Sequence, residues 1–232
     1  MQAESRSLTL PDAEIAYRVR GPLPPDGGKP VLLMIGQPMT SEGFTELAAH
    51  FPERTVVTYD PRGLGGSTRR DGRSDHDPQR QAEALHALVA ELGGPVEIFA
   101  SSGGAVTGLA LVSAHPTDVA TLVAHEPPLI GLLPDAERAR SADAAVREAY
   151  RRRGWGAGMA AFIAMVSWQG EFTEEFAARP LPEPAEFGLP AADDGMRDDP
   201  LLSGSSAAVS GYAPDPESLR PARTRVVIGV GE

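Results

Sequence analysis

The sequence contains no cysteine. That absence removes a disulfide framework, a thiolate metal site and a cysteine nucleophile together, so any covalent chemistry must use another side chain. Lysine occurs once, at Lys29, and the formal charge is -11 at pH 7. A surface for phosphate backbones needs concentrated Lys and Arg, and the one basic run, Arg151 to Arg153, is too short to supply it. That run fits a helix C-terminus, where positive charge opposes the macrodipole. Nucleic acid is therefore not an expected partner. The first twenty residues are charged throughout and lack a signal-peptide apolar block, and no later run approaches membrane-spanning length. The expectation is a cytoplasmic protein without membrane contact.

What is present is enough for one sizeable core: 232 residues, 41% of them hydrophobic. No repeat of fixed period is visible. The first 125 residues alternate strand-like and helix-like segments. "RSLTL" and "AEIAYRVRG" read as an edge hairpin turning at Pro11-Asp12, and "PVLLMIG" as a strand covered on both faces. Phe44, Leu47, Ala48 and Phe51 have helical spacing, ended by Pro52. "RTVVTYD" is the next strand. Asp77 and Pro78 open a helix that Gly93 stops, with Leu85, Leu88, Val89 and Leu92 on its apolar face. "PVEIFA", a small-residue helix and "VATLVAH" complete the βαβαβ rhythm of a mostly parallel sheet with helices on both sides. After Glu126-Pro127-Pro128 the rhythm breaks. A helical stretch from about 135 to 167, with Met159, Phe162, Ile163 and Val166 on one stripe, leads into a Pro-, Asp-, Gly- and Ser-rich stretch to 222. The expected organisation is an α/β core over 1–128, a cap insertion over 129–222, and a resumed core strand in "TRVVIGVGE" over 223–232.

The chemistry concentrates in "EIFASSGGAV", residues 97–106. A parallel strand running straight into a helix leaves its joining residue at the carboxyl edge of the sheet, where such folds place ligands. With Ser102 at that corner the turn must be tight, which demands small residues two before and two after it, Ala100 and Gly104. Ser102 is then the candidate nucleophile and Ser101 a supporting neighbour. The Gly103 N–H lies at the helix N-terminus, aimed at a developing oxyanion. A second donor is expected from the loop after "VLLMIG", where Gly36 lets the backbone bend and Gln37 offers an N–H. The competing reading of either serine is a plain helix N-cap. A dinucleotide site is a further rival, but "SSGGAVTG" lacks G-x-G-x-x-G and is not in the first βαβ unit.

"IGQPMTSEGF", "YDPRGLGGS" and "FASSGGA", in this order and spacing, resemble the α/β-hydrolase fold superfamily, and "HEPP" resembles actinobacterial-type hydrolases of that fold. The resemblance covers roughly residues 7–128 and continues in the final strand. It implies an eight-stranded sheet, a helical cap after the sixth strand, and a Ser-acid-His triad with no cofactor and no metal. It implies a serine hydrolase for a small to medium acyl substrate, most simply a carboxylic ester. Two alternatives stand beside it: a non-catalytic ligand-binding protein on the same fold, and a cofactor-free perhydrolase or haloperoxidase-like activity. Serine at 102 excludes the aspartate-nucleophile chemistry of haloalkane dehalogenases and epoxide hydrolases.

Two departures from the family pattern matter. Ile35 stands where H-G-x-P has histidine, and all five histidines, His50, His76, His86, His115 and His125, precede the cap. The family's base follows its eighth strand, so the expectation is that the sequence stops short of that strand, by roughly fifty residues. His125 and Glu126 end a strand at the functional edge and are candidate pocket residues. Glu232 stands near the usual place of the triad acid and is a candidate for it. Oligomeric state is not indicated.

Overall fold

In the computed structural model, which describes residues 3–231, the elements run in chain order as follows. Strands β1 (Glu4–Leu10), β2 (Ala13–Arg20) and β3 (Leu32–Ile35) precede a 3-10 turn over Ser41–Phe44 that continues into α1 (Thr45–Ala49). Then come β4 (Val56–Tyr59), β5 (Thr68–Arg69), α2 (Pro78–Glu91), β6 (Val96–Ser101), α3 (Gly103–Ala114) and β7 (Val119–His125). Helices α4 (Ala136–Arg153), α5 (Trp155–Val166), α6 (Glu174–Ala178) and α7 (Ala207–Ser210) follow, and α8 (Pro216–Leu219) leads into β8 (Arg225–Gly229).

The strands form one sheet in the order β1-β2-β4-β3-β6-β7-β8, with the two-residue β5 paired to β2. The β1–β2 hairpin is antiparallel and sits at one edge, in register from Glu4↔Val19 to Leu10↔Ala13. From β4 through β8 the pairing is parallel. Every residue of β3 and β4 is buried, as a continuous apolar run requires when both faces are covered. On one face Leu32, Met34 and Val56 pack with Phe44 and Ala48, and Leu47, Phe51 and Phe99 close over them. Helix α2 begins as its sequence dictates. Asp77 Oδ1 accepts the Gln79 N–H at 2.9 Å, Pro78 takes the first turn, and Gly93 beyond the end has φ 76°.

Strand order decides where a ligand can enter. The chain leaves β3 toward β4 on one side and leaves β6 toward β7 on the other, so the connections diverge at the carboxyl ends of β3 and β6. In parallel sheets such a switch point is where ligands are generally received.

The chain divides into two compact units, Met1–Pro128 with Pro214–Glu232, and Leu129–Ala213. Residues 214–222, expected in the insertion, belong to the first unit: α8 lies against α3, and the Ser218 and Ser113 hydroxyls are hydrogen-bonded. In the second unit α4 and α5 meet at Gly154, φ 84°, and Arg151, Arg152 and Arg153 occupy the last turn of α4. The stripe Met159, Phe162, Ile163 and Val166 is not the buried face of α5. That face is Gly156, Ala157, Gly158, Ala160 and Ala161, and Val166 is 56% exposed. The reason is close approach: a Cβ on Gly158 would stand 2.6 Å from the Tyr150 Cβ, so only small residues fit the contact with α4. Met159 and Phe162 pack, half-buried, at the margin of the cluster of Val146, Ala149, Tyr150, Ala161 and Leu202. Among the described residues no helix is long and apolar enough to cross a membrane.

Candidate active site

Strand β6 ends at Ser101 and α3 begins at Gly103, so one residue makes the whole turn. That residue, Ser102, has φ 55° and ψ -125°, a region that L side chains enter at a cost of order 1–3 kcal/mol. Among the described residues only Ser102 and Glu126 are non-glycine with positive φ. The corner is held by the surrounding structure. The Ser102 N–H donates to the His125 carbonyl at 2.9 Å, extending the β6–β7 ladder one residue past the strand, and its own carbonyl accepts the Ala105 N–H. Ser102 occupies the N-cap position of α3, but its hydroxyl makes no cap hydrogen bond, and the residue is exposed.

Small residues around the corner are required by contact. A Cβ on Gly104 would stand 2.6 Å from the Ile35 carbonyl oxygen and 2.7 Å from the Gly36 Cα, both backbone atoms that cannot swing aside. Helix α3 thus presses its first turn onto the exit of β3. Ala100 is fully buried beneath the same helix, where a Cβ on Gly108 would meet its methyl at 3.6 Å. At Gly36 an added Cβ would lie 2.9 Å from the Met39 methyl, which fills the bend of the loop.

This contact brings Gln37 beside the start of α3. Gln37 and Gly103 are both buried, and among the described residues neither backbone N–H has an acceptor. Buried N–H groups are almost always paired, and these two donors without acceptors lie on adjoining segments, beside the positive end of α3. The Gln37 side chain, by contrast, is fully engaged. Its Oε1 accepts from Thr107 Oγ1 at 3.1 Å and its Nε2 donates to the His76 carbonyl at 3.3 Å. The sequence indicated a backbone role at this position; the side chain is an additional clamp, tying the loop to α3 and to the segment before α2. His76 itself is only 4% exposed, and burial, with Arg69 nearby, pushes its pKa below the ordinary histidine value.

The other expected positions divide between this corner and elsewhere. Ser101 pairs with His125 across the β6–β7 ladder, and His125, half-buried, stacks on Phe99. Glu126, φ 49°, follows at the end of β7; its N–H donates to the Gly229 carbonyl, and its Oε1 accepts the Gly231 N–H at 2.9 Å. Glu232 lies outside the described residues. His86 and His115 are engaged with Asp118 and Glu83, away from this corner.

The loop opposite the corner is stabilised by Asp60. Its Oδ1 accepts the Ser41 N–H and its Oδ2 the Gly66 N–H, each at 2.8 Å, and its carbonyl accepts the Ser67 hydroxyl at 2.7 Å. Burial opposes the charge, but the hydrogen bonds from Gly66 and Ser41, with Arg18 contributing, hold the Asp60 carboxyl below the usual carboxylate range. The Arg62 backbone is paired on both its N–H and carbonyl by the Gln81 amide.

Residues 29–173, more than half of the chain, match the model of the alpha/beta hydrolase fold. The chain belongs to the α/β-hydrolase fold family. It is 35% identical over 135 residues to the uncharacterized hydrolase YraK of Bacillus subtilis, an alignment covering 57% of this chain and 48% of that protein. It thus spans about half the length of this curated relative. Among solved structures, one from a study of carboxylesterases of the thaumarchaeon Nitrososphaera gargenis superposes with a TM-score of 0.62 at 15% identity, over 97% of this chain and 79% of that one. One from a study of epoxide hydrolases in metagenomes from hot environments gives 0.59 at 16% identity, over 99% and 92%. At such identities these neighbours speak for the fold alone, so reaction type must be argued from the corner itself.

Proposed function

We propose that this chain carries the nucleophilic and oxyanion-binding parts of a serine hydrolase acting on carboxylic esters or related small acyl compounds. The observation that carries the reading is the pairing of a strained, exposed, non-capping Ser102 with two buried N–H groups, of Gln37 and Gly103, that lack acceptors. In this reading Ser102 Oγ attacks the acyl carbon while an imidazole removes its proton. The carbonyl oxygen becomes an oxyanion held by the two N–H groups, and the imidazole returns the proton to the departing alcohol. Water then repeats the sequence on the acyl-enzyme, releasing the acid and restoring the serine. Each oxyanion donor is worth about 2.7–4 kcal/mol in such sites. A serine oxygen, rather than a carboxylate, at the corner favours acyl transfer over epoxide or halide displacement.

For the acid that orients the imidazole we assign Glu126. It stands at the end of the strand next to the corner, in the second strained non-glycine conformation, and its carboxylate is steadied by the Gly231 N–H. His125 is not assigned as the imidazole in this reading: its carbonyl accepts the Ser102 N–H and its ring stacks on Phe99.

The test is covalent. A fluorophosphonate probe should label the full-length protein once per chain, the adduct should map to Ser102 by peptide mass spectrometry, and Ser102→Ala should abolish it. Attachment elsewhere, or a folded full-length protein that resists the probe, overturns the enzymatic reading and favours a ligand-binding protein on this fold.

A further inference from the structure

At the amino end of β7, the far end of that strand from Ser102, four side chains with metal-binding chemistry converge. Glu83 and His86 are three residues apart on α2 and share one face. His115 ends α3, and Asp118 follows three residues on, just before β7; the turn between them is closed by the Asp118 N–H on the His115 carbonyl at 3.1 Å. The two imidazole rings lie parallel, 3.7 Å between centroids and 7° between planes. His86 Nδ1 is 2.7 Å from Asp118 Oδ2, and His115 Nε2 is 3.1 Å from Glu83 Oε1.

One ligand atom from each of His86, His115 and Asp118 lies within 4.8 Å of the other two. In a tetrahedral zinc site, with bonds of about 2.0–2.1 Å, ligand atoms stand roughly 3.3 Å apart. Side-chain rotation closes that difference, because His86 and His115 are 43% and 22% exposed at their side chains. The two carboxylates also differ from many others in this chain. Asp71, Glu148 and Asp193 are bonded to arginine, whereas among the described residues Asp118 and Glu83 are paired with histidine and with no arginine or lysine. Their charge is met by groups that can themselves become ligands. The partly exposed His86 and His115 side chains leave the cluster open to solvent.

We propose that His86, His115 and Asp118, with Glu83 as fourth ligand, bind a divalent transition cation of the zinc type. Two imidazoles and two carboxylates without thiolate suit that class better than calcium or magnesium, which prefer all-oxygen shells. The site lies roughly 20 Å from the catalytic corner, seven residues of extended strand away. It is therefore a structural staple, fastening α2 to the connection between α3 and β7, and takes no part in acyl transfer.

The experiment uses untagged protein, stripped with EDTA, titrated with zinc chloride by calorimetry and followed by thermal unfolding. The expected result is one zinc ion per chain and a Tm rise of about 5–10 °C at saturating metal, reversed by EDTA. His86→Ala and Asp118→Asn should each weaken binding at least tenfold while leaving any Ser102 labelling unchanged. Should one variant fail to fold, the other decides. Absence of saturable binding to the parent protein, or an affinity unaltered in the folded variants, overturns the site.

Discussion

The turn at Asp60 and the corner at Ser102 are built from similar letters and do opposite things. Each follows a central strand, each is rich in glycine, and each contains a serine. In the Asp60 turn the polar groups are spent on one another. The Ser67 hydroxyl donates to the Asp60 carbonyl and accepts the Ala16 N–H, and both Asp60 carboxylate oxygens are occupied. Ser67 is 5% exposed. At the corner the serine is exposed, its hydroxyl caps nothing, its backbone is strained, and the β3 exit loop and the first turn of α3 each present an N–H group without an acceptor among the described residues. One is a knot that holds a loop, the other a set of unmet hydrogen-bonding groups held in place by that loop and by α3.

The contrast can be tested by pushing on each side. The largest effect is expected at the acid proposed for the corner. Glu126→Gln should slow fluorophosphonate labelling of Ser102 by roughly 10²–10⁴-fold with little change in urea midpoint, because it removes an orienting charge and no packing. A labelling rate equal to that of the parent protein would remove Glu126 from the reaction. Next is Gly104→Val. With backbone atoms already 2.6 and 2.7 Å from the first added carbon, the loss of unfolding free energy should be about 3–5 kcal/mol, read by urea denaturation, together with loss of labelling.

On the knot side, Asp60→Asn should cost about 2–4 kcal/mol near neutral pH, since hydrogen bonds to a charged acceptor are lost. The folded-state pKa of Asp60 is depressed, so its stabilisation is fully present above the unfolded value near 3.9. It is lost as pH falls through the folded value. The parent protein should therefore lose stability on acidification below about pH 4 more steeply than Asp60→Asn. Smallest is Ser67→Ala, about 1–2 kcal/mol, with Ser102 labelling rate retained in the folded protein. If Ser67→Ala abolished labelling without unfolding, the separation of knot from corner would fail.

Much of this arrangement was legible from residue order. The hairpin at Pro11-Asp12, the buried runs of β3 and β4, the Asp77 cap and the A-S-S-G-G turn are local signals, each set by a few neighbouring residues. Other features were not. The α5 stripe looks like a core face by periodicity, yet the contact with Tyr150 selects the glycines and alanines instead. Gln37 looks like a backbone donor, and nothing in "GQPM" indicates that its amide would reach Thr107 and His76, 70 and 39 residues away. Glu126 precedes Pro127 and so reads as a break in the rhythm, yet nothing local indicates that its N–H and carboxylate would meet Gly229 and Gly231, about a hundred residues later.

Short-range chemistry was thus sufficient to specify which elements form, where they stop, and that a serine would stand at a strand-to-helix corner. It could not say which polar groups would be left without partners, because a hydrogen bond between distant segments depends on sheet order and on how closely helices approach. Those are properties of the packed chain. The same limit hid the meeting of His86 with His115: each is unremarkable in its own helix, and only the packing of α2 on α3 makes them neighbours.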